Sequence, residues 1–345
     1  MFVAWRDLRF AKGRFTLMGA VIVLITLLVG LLSGLTAGLA EENTSAVTGL
    51  PADHLAFAAP AAGQSVSFTN SSVHARAWRT WALRPGVVAA EPIGIRTLNA
   101  TAGDRTAAVS TFAVDPDSGI APHGVGPGRI VLSGKAAGEL RAEAGDRVRL
   151  GGTEWSVAAV AGDASYSHTP VVWTALSGDA TVVALRTDGA DLAAGDRAAG
   201  TRTLAKDDAL SAIGSYRAEN GSLQLMRGFL FVISALVIGA FFTVWTIQRS
   251  DDIAVLKALG ASTPYLLRDA LGQAVLMLTA GTLLGTGLAT AIGGLVRGGD
   301  VPFVLDTPTV LRPAAVMIAL GALGAGLSVR RITAVDPLTA LGSAR

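Results

Sequence analysis

Residues 225–244 read LMRGFLFVISALVIGAFFTV, and residues 245–262 continue as WTIQRSDDIAVLKALGAS. The first stretch is apolar, and its only charge is Arg227, close to its start. About 20 such residues suffice to cross a hydrocarbon layer of ~30 Å. The second stretch is amphipathic, with charges on one side and Ile253, Leu256 and Leu259 on the other. Together they predict a membrane-spanning helix that leads into a small helix on the cytoplasmic side.

The composition is that of a membrane protein with a soluble insert. Of the 345 residues, 51% are hydrophobic and only 16% are charged, whereas soluble domains average about 25% charged residues. The net charge of +2 is too small to indicate nucleic-acid binding. The chain has no cysteine, which excludes disulfides, thiolate metal sites and cysteine nucleophiles.

The apolar runs divide the chain. The first run extends from residue 17 to residue 40 without a charge, longer than the ~7–15 apolar residues of a signal peptide, so we expect an uncleaved anchor. We predict an α-helical membrane protein with four transmembrane helices and an α+β extracytoplasmic domain inserted between helices 1 and 2. The predicted segments are an interfacial amphipathic helix (1–15), span one (16–40), the α+β domain (41–222), span two (223–247), a cytoplasmic coupling helix (248–268), span three (269–297), an external loop (298–308), span four (309–329) and a cytoplasmic tail (330–345).

Basic residues beside the spans predict the orientation, because they concentrate on the cytoplasmic side. One set flanks the predicted inner ends: Arg6, Arg9, Lys12, Arg14, Arg249, Lys257, Arg268, Arg330, Arg331 and Arg345. The loop between spans three and four has only Arg297 and Arg312. We therefore expect a multi-pass plasma-membrane protein with both termini in the cytoplasm and the large insert outside.

Within the insert, short apolar alternations predict strands at residues 130–133, 147–150, 154–160, 171–173 and 181–186. Gly151-Gly152 separates two of them, which is typical of a two-residue hairpin turn. Residues 135–144 and 206–214 are predicted to be helical.

The sequence lacks the motifs of nucleotide-binding, catalytic and metal-binding sites. The nearest approach to a phosphate-binding loop, Ser133-Gly134-Lys135-Ala136, lacks the leading Gly and the final Ser or Thr. We therefore expect no nucleotide site, no catalytic residues and no enzyme activity in this chain. The histidines lack metal-ligand spacing and are interpreted as surface or loop residues: His54, His74, His123 and His168. The acid pairs Glu41-Glu42 and Asp251-Asp252 are expected to be solvated.

Two segments resemble the FtsX/MacB-type (type VII) ABC transporter permeases. Residues 248–262, QRSDDIAVLKALGAS, resemble the segment that follows a span in that family, and residues 330–341, RRITAVDPLTAL, resemble its end. The predicted topology is also similar. The resemblance implies a permease driven by a separate ABC ATPase, and it implies these ATPase-coupling residues: Asp251, Asp252, Ile253, Leu256, Lys257, Leu259 and Gly260. Gly260 is expected to cap the coupling helix, and Pro264 to stop or restart it.

Within that superfamily, residues 5–15, WRDLRFAKGRF, and residues 50–55, LPADHL, resemble haem-efflux permeases of the HrtB type. That resemblance implies haem as the transported substrate and no bound cofactor. The ends of spans one and two then supply the candidate substrate-binding residues: Glu41, Glu42, Tyr216, Arg217, Glu219, Met226, Arg227 and Phe229. Among them, Tyr216, Glu219 and Met226 are candidate haem-iron ligands, and there is no other metal site. The competing interpretation is an interfacial tyrosine, a snorkelling arginine and a solvated glutamate.

Two classes of function remain open from the sequence. One is export of a membrane-associated apolar substrate such as haem, or of a lipid, lipoprotein or drug. The other is an FtsX-like mechanotransmitting scaffold that controls an extracytoplasmic partner. Four spans are too few to enclose a pathway. We therefore expect a homodimer in the lipid bilayer, with two copies of a separate ATPase and without nucleic acid.

Overall fold

The computed structural model describes residues 12–248, 255–296 and 301–329. The chain divides into two units. The membrane unit comprises Met1–Gly38 and Ser222–Arg345, and the inserted domain comprises Leu39–Gly221. Each is described by itself. The expected interfacial helix and cytoplasmic tail, residues 1–15 and 330–345, lie wholly or mainly outside the described residues.

Four helices in the described part of the chain are long and apolar enough to cross a membrane. They are α1 (Lys12–Thr48), α6 (Gly214–Gln248), α7 (Thr263–Val296) and α8 (Thr307–Val329). With an α+β domain between the first and second, they confirm the predicted fold class. The first three have 37, 35 and 34 residues, well beyond the ~20 needed to span the hydrocarbon. Their end turns therefore extend past the predicted spans.

Helices α1 and α7 pack almost backbone to backbone. A Cβ atom on Gly285 of α7 would lie 2.6 Å from the carbonyl oxygen of Val23 and 2.7 Å from Cβ of Thr26, both on α1. A Cβ on Gly281 would lie 2.7 Å from Cγ2 of Ile22. Small residues allow this approach, which increases van der Waals contact where lipid offers no hydrophobic driving force. Gly272, Gly287 and Gly294 have no such neighbour, so only part of the glycine pattern serves packing within the unit.

The segment before α8 folds back onto the bundle. Cβ atoms on Gly34 of α1 or Gly293 of α7 would overlap the ring of Phe303. The N–H of Val304 donates to the carbonyl oxygen of Gly34 at 3.1 Å. Asp306 then caps α8 by accepting a hydrogen bond at 2.8 Å from the N–H of Thr309. The sequence predicts only a loop here, and the glycine cradle for Phe303 depends on helices that are distant in sequence.

The inserted domain, all of whose residues are described, contains a ten-stranded mixed sheet in the order β10-β1-β9-β2-β3-β8-β4-β6-β5, with β7 paired to β8. The strands are β1 (His54–Ala58), β2 (Val87–Ala102), β3 (Arg105–Val114), β4 (Arg129–Leu132), β5 (Arg147–Leu150), β6 (Thr153–Val160), β7 (Ser165–Tyr166), β8 (Thr169–Ala175), β9 (Val182–Thr187) and β10 (Thr201–Ala205). The end of β2 also pairs with β5, so the strands from β2 to β5 in this order close on themselves.

Short helices accompany the sheet: α2 (Ala75–Ala82), α3 (Gly134–Leu140), α4 (Leu192–Ala199) and α5 (Lys206–Ala209). The helix predicted at residues 135–144 ends earlier, because Arg141 adopts a left-handed conformation with φ of 49°. The helix predicted at residues 206–214 breaks into α5 and the 3₁₀ turn Leu210–Ala212.

The strand predictions for residues 130–133, 147–150, 154–160, 171–173 and 181–186 are confirmed by β4, β5, β6, β8 and β9. The hairpin is confirmed as well, since Leu150 pairs with Thr153 and both intervening glycines have positive φ. The longest hairpin, β2–β3, was not predicted. Its strand β2, VVAAEPIGIRTLNATA, mixes alanine, glycine and proline and lacks a clean apolar alternation.

The α1–α7 contact generates a stability prediction. We expect Gly285→Ala to lower the thermal unfolding temperature of the full-length protein in detergent, because the added methyl meets backbone atoms of α1 and overpacking costs about 1–3 kcal/mol. Gly287→Ala, on the same helix with open space around it, is the control and should be neutral or slightly stabilising. Equal melting temperatures for the two variants would contradict the close approach.

Candidate functional site

The candidate site is built around a two-residue turn, Ser167-His168, whose left-handed backbone conformation is unfavourable for residues other than glycine. Ser167 and His168 join β7 to β8, and both have positive φ, 50° and 63°. Tyr166 pairs with Thr169 across them, so the hairpin has a two-residue loop of the kind that normally takes Asn-Gly. Such backbone strain persists only where the surroundings over-determine it, and it is often found at functional positions.

The turn is held by the part of α1 that belongs to the inserted domain. The N–H of Ser167 donates to the carbonyl oxygen of Asn43 at 3.1 Å, and the N–H of His168 donates to that of Glu42 at 3.3 Å. One turn further along α1, the hydroxyl of Ser45 accepts a hydrogen bond from the N–H of Ser165 at 2.9 Å. These bonds attach the tip of the β7–β8 hairpin to α1.

The side chain of Asn43 is the hub of the cluster, and the residue is only 1% exposed. Its Nδ2 donates to Oε2 of Glu219 at 3.0 Å and lies 2.9 Å from Nε2 of His168. Its Oδ1 accepts a hydrogen bond from Ser215 at 2.6 Å. Ser215 in turn lies 2.8 Å from the hydroxyl of Ser167. The cluster thus joins α1, the hairpin and the start of α6.

His168 lies between two carboxylates. Its Nε2 is 2.8 Å from Oε1 of Glu219, and its Nδ1 is 3.6 Å from Oε2 of Glu42. Glu42 also pairs with the ammonium of Lys135, the second residue of α3. The side chain of His168 is 33% exposed, so the cluster remains open to solvent and to a ligand. We refer to Glu42, Asn43, Lys135, His168, Ser215 and Glu219 as the polar cluster.

The structure places the predicted site residues in different surroundings. It brings Glu42 and Glu219 to opposite sides of one imidazole, so Glu42 is not the simply solvated acid expected from the sequence. Tyr216 packs against the core of the inserted domain. Glu41 and Arg217 are exposed.

The other three predicted residues belong to the membrane unit. Arg227 donates to Oε1 of Gln224. Met226 and Phe229 are 56% and 60% exposed. They continue into an exposed apolar stripe along α6: Leu225, Met226, Phe229, Val232, Ile233 and Leu236. The spacing of three or four residues keeps these side chains on one helix face, and no other described part of the unit covers that face.

Sequence reasoning missed four members of the polar cluster: Asn43, Lys135, His168 and Ser215. From the sequence, His168 is predicted only to be a surface or loop histidine. Asn43 follows the acid pair Glu41-Glu42 and belongs to no recognisable motif. Their contacts span 125 and 176 residues of chain, so no local pattern could reveal them. Among the described residues, no group of three or more His, Asp or Glu side chains could hold a metal ion.

A second candidate site is the predicted coupling segment. Asp251, Asp252 and Ile253 lie outside the described residues. Residues 255–258 are helical, and Gly260, at φ of 96°, ends this helix while the N–H of Ala261 donates to the carbonyl oxygen of Leu256 at 2.9 Å. This confirms the predicted glycine cap. Pro264 lies in the first turn of α7, which confirms the predicted restart.

The apolar side chains of this segment divide between two environments. Leu256 packs against a small cluster containing Leu266 and Ala270 of α7, so it stabilises the membrane unit itself. Val255 and Leu259 are 53% and 79% exposed and lie one helical turn apart, on the same side. The described residues therefore offer Val255 and Leu259, and not Leu256, as free apolar contacts.

The chain is similar in sequence to known permeases. Residues 225–337 match the family model described as FtsX-like permease C-terminal, a range that includes the coupling segment and the Asp336-Pro337 pair. "Putative hemin transport system permease protein HrtB" of Staphylococcus epidermidis is 26% identical over 356 residues, covering 99% of each chain. The protein of the same name from Staphylococcus haemolyticus is 27% identical over 360 residues, again covering 99% of each chain.

Among solved structures, the extracellular domain of the noncanonic ABC-type transporter YknZ from Gram-positive bacteria is similar to 44% of this chain and 98% of its own. The sequence identity is 15% and the TM-score is 0.35. The fold assignment rests on the strand order given above.

The hub position of Asn43 generates the next prediction. We expect Asn43→Ala to destabilise the full-length protein, because it removes the acceptor of the Ser215 hydroxyl and the donor to Glu219 at a position that is only 1% exposed; loss of one partner of a buried hydrogen bond costs about 1–3 kcal/mol. The measurement is thermal unfolding followed by tryptophan fluorescence. Asn70→Ala, at an exposed turn of the same domain, is the control, and a hub variant as stable as this control would refute the assignment.

Proposed function

We propose that this ABC transporter permease, with its FtsX-like C-terminal domain, exports haem from the membrane with energy from a separate ATPase. The observation that carries the proposal is the convergence of Glu42 and Glu219 on His168 in a half-open polar cluster. The full-length similarity to two proteins named as hemin transport permeases supports the same substrate class.

The polar cluster suits the chemistry of haem. The porphyrin supplies four nitrogen ligands itself, so the protein needs to provide only one or two axial groups, and no preformed three-residue metal group is required. Carboxylate, phenol and imidazole side chains all bind haem iron or stabilise its surroundings. Lys135 is the cation of the cluster, and a lysine or arginine can pair with a haem propionate. We assign Glu219 and His168 as the first candidates for iron contact, with Tyr216 and Met226 as further candidates.

The exposed stripe on α6 supports a homodimer in our proposal. A chain with four spans cannot surround a pathway by itself, and α6 leaves its apolar stripe uncovered within the unit. We propose that a second copy of the chain and the lipid bilayer cover this stripe. Met226 and Phe229 then line an apolar surface suited to a planar ligand.

The orientation and the coupling to the ATPase follow from the charge distribution. We infer that both termini and residues 248–262 face the cytoplasm, since basic residues concentrate there, and that the inserted domain lies outside. An ATPase groove would then receive Val255 and Leu259, beside the predicted Asp251, Asp252, Ile253, Lys257 and Gly260. Two ATPase copies serve the two permease copies.

Haem titration tests the substrate proposal. We expect purified wild-type protein in detergent to bind haem with a shifted Soret band. Glu219→Gln and His168→Gln should each weaken binding about tenfold or more or change the spectrum, since a bond to a charged group contributes about 1.5–3 kcal/mol. Tyr216→Phe and Met226→Ala test the two further candidates in the same assay.

Glu139→Gln, an exposed glutamate of the inserted domain, is the matched control and should bind haem like the wild type. If the wild type leaves the Soret band of haem unchanged, haem is not the substrate. If haem binds equally to all four variants, the polar cluster and its neighbours are not its site. An ATPase stimulated by a lipid, lipoprotein or drug, but not by haem, would favour the alternative export reactions.

Charge substitution tests the coupling segment. We expect Leu259→Asp, alone and with Val255→Asp, to reduce ligand-stimulated ATP hydrolysis by the complex, because an unpaired charge in an apolar groove costs several kcal/mol. The measurements are copurification of the ATPase and its stimulated turnover.

Leu83→Asp makes the same chemical change at an exposed leucine of the inserted domain and should leave both measurements unchanged. Normal copurification and normal stimulated turnover in the double variant would show that the ATPase docks elsewhere.

A further inference from the structure

The inserted domain has an open cavity of about 410 Å³ whose lining includes no residue of the polar cluster. It lies between the first turn of α2 and the last turn of α4. Its size is within the ~300–1,000 Å³ of small-molecule sites. Val73, Ala77 and Ala199 contribute apolar surface, whereas Arg76 and Arg197 contribute its charge.

The two arginines are unneutralised. Neither Arg76 nor Arg197 makes an ion pair with any residue that the structure describes. No aspartate or glutamate lines the cavity, and the sequence contains none between residues 54 and 90. Both arginines are exposed, so water screens their mutual repulsion, and an anion in the cavity would be attracted by both charges.

The nearby carboxylates are already occupied. Asp179 binds Nδ1 of His74 at 2.8 Å. Asp196 accepts hydrogen bonds from the hydroxyls of Thr201 and Thr203, at 2.8 and 2.7 Å, and from the N–H of Thr203 at 2.9 Å. Their partners His74 and Thr201 line the cavity, so these bonds reach its edge. Neither carboxylate forms an ion pair with Arg76 or Arg197 among the residues that the structure describes, so the arginines keep their charge for a ligand.

The remaining polar groups around the cavity are compatible with an anion. The N-cap residue of α2, His74, makes no side-chain capping bond, although the N–H of Ala77 donates to its carbonyl oxygen at 2.9 Å. The positive end of the helix adds to the field of the arginines. The carbonyl oxygen of Gly200, at the end of α4, accepts a hydrogen bond from the N–H of Ala59 at 3.1 Å.

From these observations we propose that the cavity binds the phosphate group of a small organic phosphate ester. Guanidinium groups hold phosphate oxygens in paired hydrogen bonds, and the alanine and valine surface accepts the organic part. The ligand is either a soluble phosphomonoester or the headgroup of a phospholipid, which share this chemistry. This proposed site does not depend on haem export, and it contains no residue of the polar cluster.

Calorimetric titration of the full-length protein in an uncharged detergent tests the proposal. One arm uses glycerol 3-phosphate, and the other uses short-chain dihexanoyl phosphatidylglycerol below its micelle concentration. We expect the wild type to bind at least one probe, and Arg76→Gln/Arg197→Gln to bind it about tenfold more weakly or worse. The arm that shows binding identifies the source of the phosphate.

Arg79→Gln is the matched control, because Arg79 lies on the same helix, is exposed and does not line the cavity. It should bind the probe like the wild type. The proposal is overturned if neither probe binds, or if the double variant binds as tightly as the control. Thermal unfolding and haem titration of the double variant should both match the wild type, which separates this site from the export function.

Discussion

The buried amide of Asn43 joins three segments of the inserted domain that are far apart in the chain. It contacts His168 at the hairpin tip, and Ser215 and Glu219 at the start of α6. A buried amide without partners would be costly, whereas a satisfied one specifies a single arrangement. The left-handed backbone of Ser167 and His168 is tolerated because these hydrogen bonds compensate for it.

The polar cluster is both held in place by hydrogen bonds and partly open to solvent. His168 and Glu219 are held by neighbours, as a preorganised binding group should be, and yet the imidazole remains one-third exposed. Glu42 is shared between His168 and Lys135. A ligand that competes for one of these ionic contacts would loosen the attachment of the hairpin to α1 and α6. In our proposal, binding at the cluster and the conformation of these two helices are therefore linked.

In the membrane unit, one close contact depends on the absence of side chains, whereas the polar cluster depends on hydrogen bonds between side chains. Where α1 meets α7, glycine removes the side chain so that backbones approach closely, and Phe303 occupies the space left by Gly34 and Gly293. Along α6, large apolar side chains remain exposed instead. The α1–α7 contact thus relies on close packing of small residues, whereas the face of α6 that we assign to a second copy and to lipid presents Met226 and Phe229.

The sequence by itself determined the features that depend on short-range patterns. Hydropathy and length predicted four spans, because a helix satisfies its own backbone hydrogen bonds within one segment. Gly151-Gly152 predicted a hairpin, and Gly260 a helix cap, because positive φ is a local property of glycine. Only the tertiary structure decided that β2 closes onto β5, that Leu256 packs inward while Leu259 stays free, and that His168 lies between Glu42 and Glu219. These relations are contacts between residues distant in sequence, and such pairings leave no trace in the periodicity of either segment.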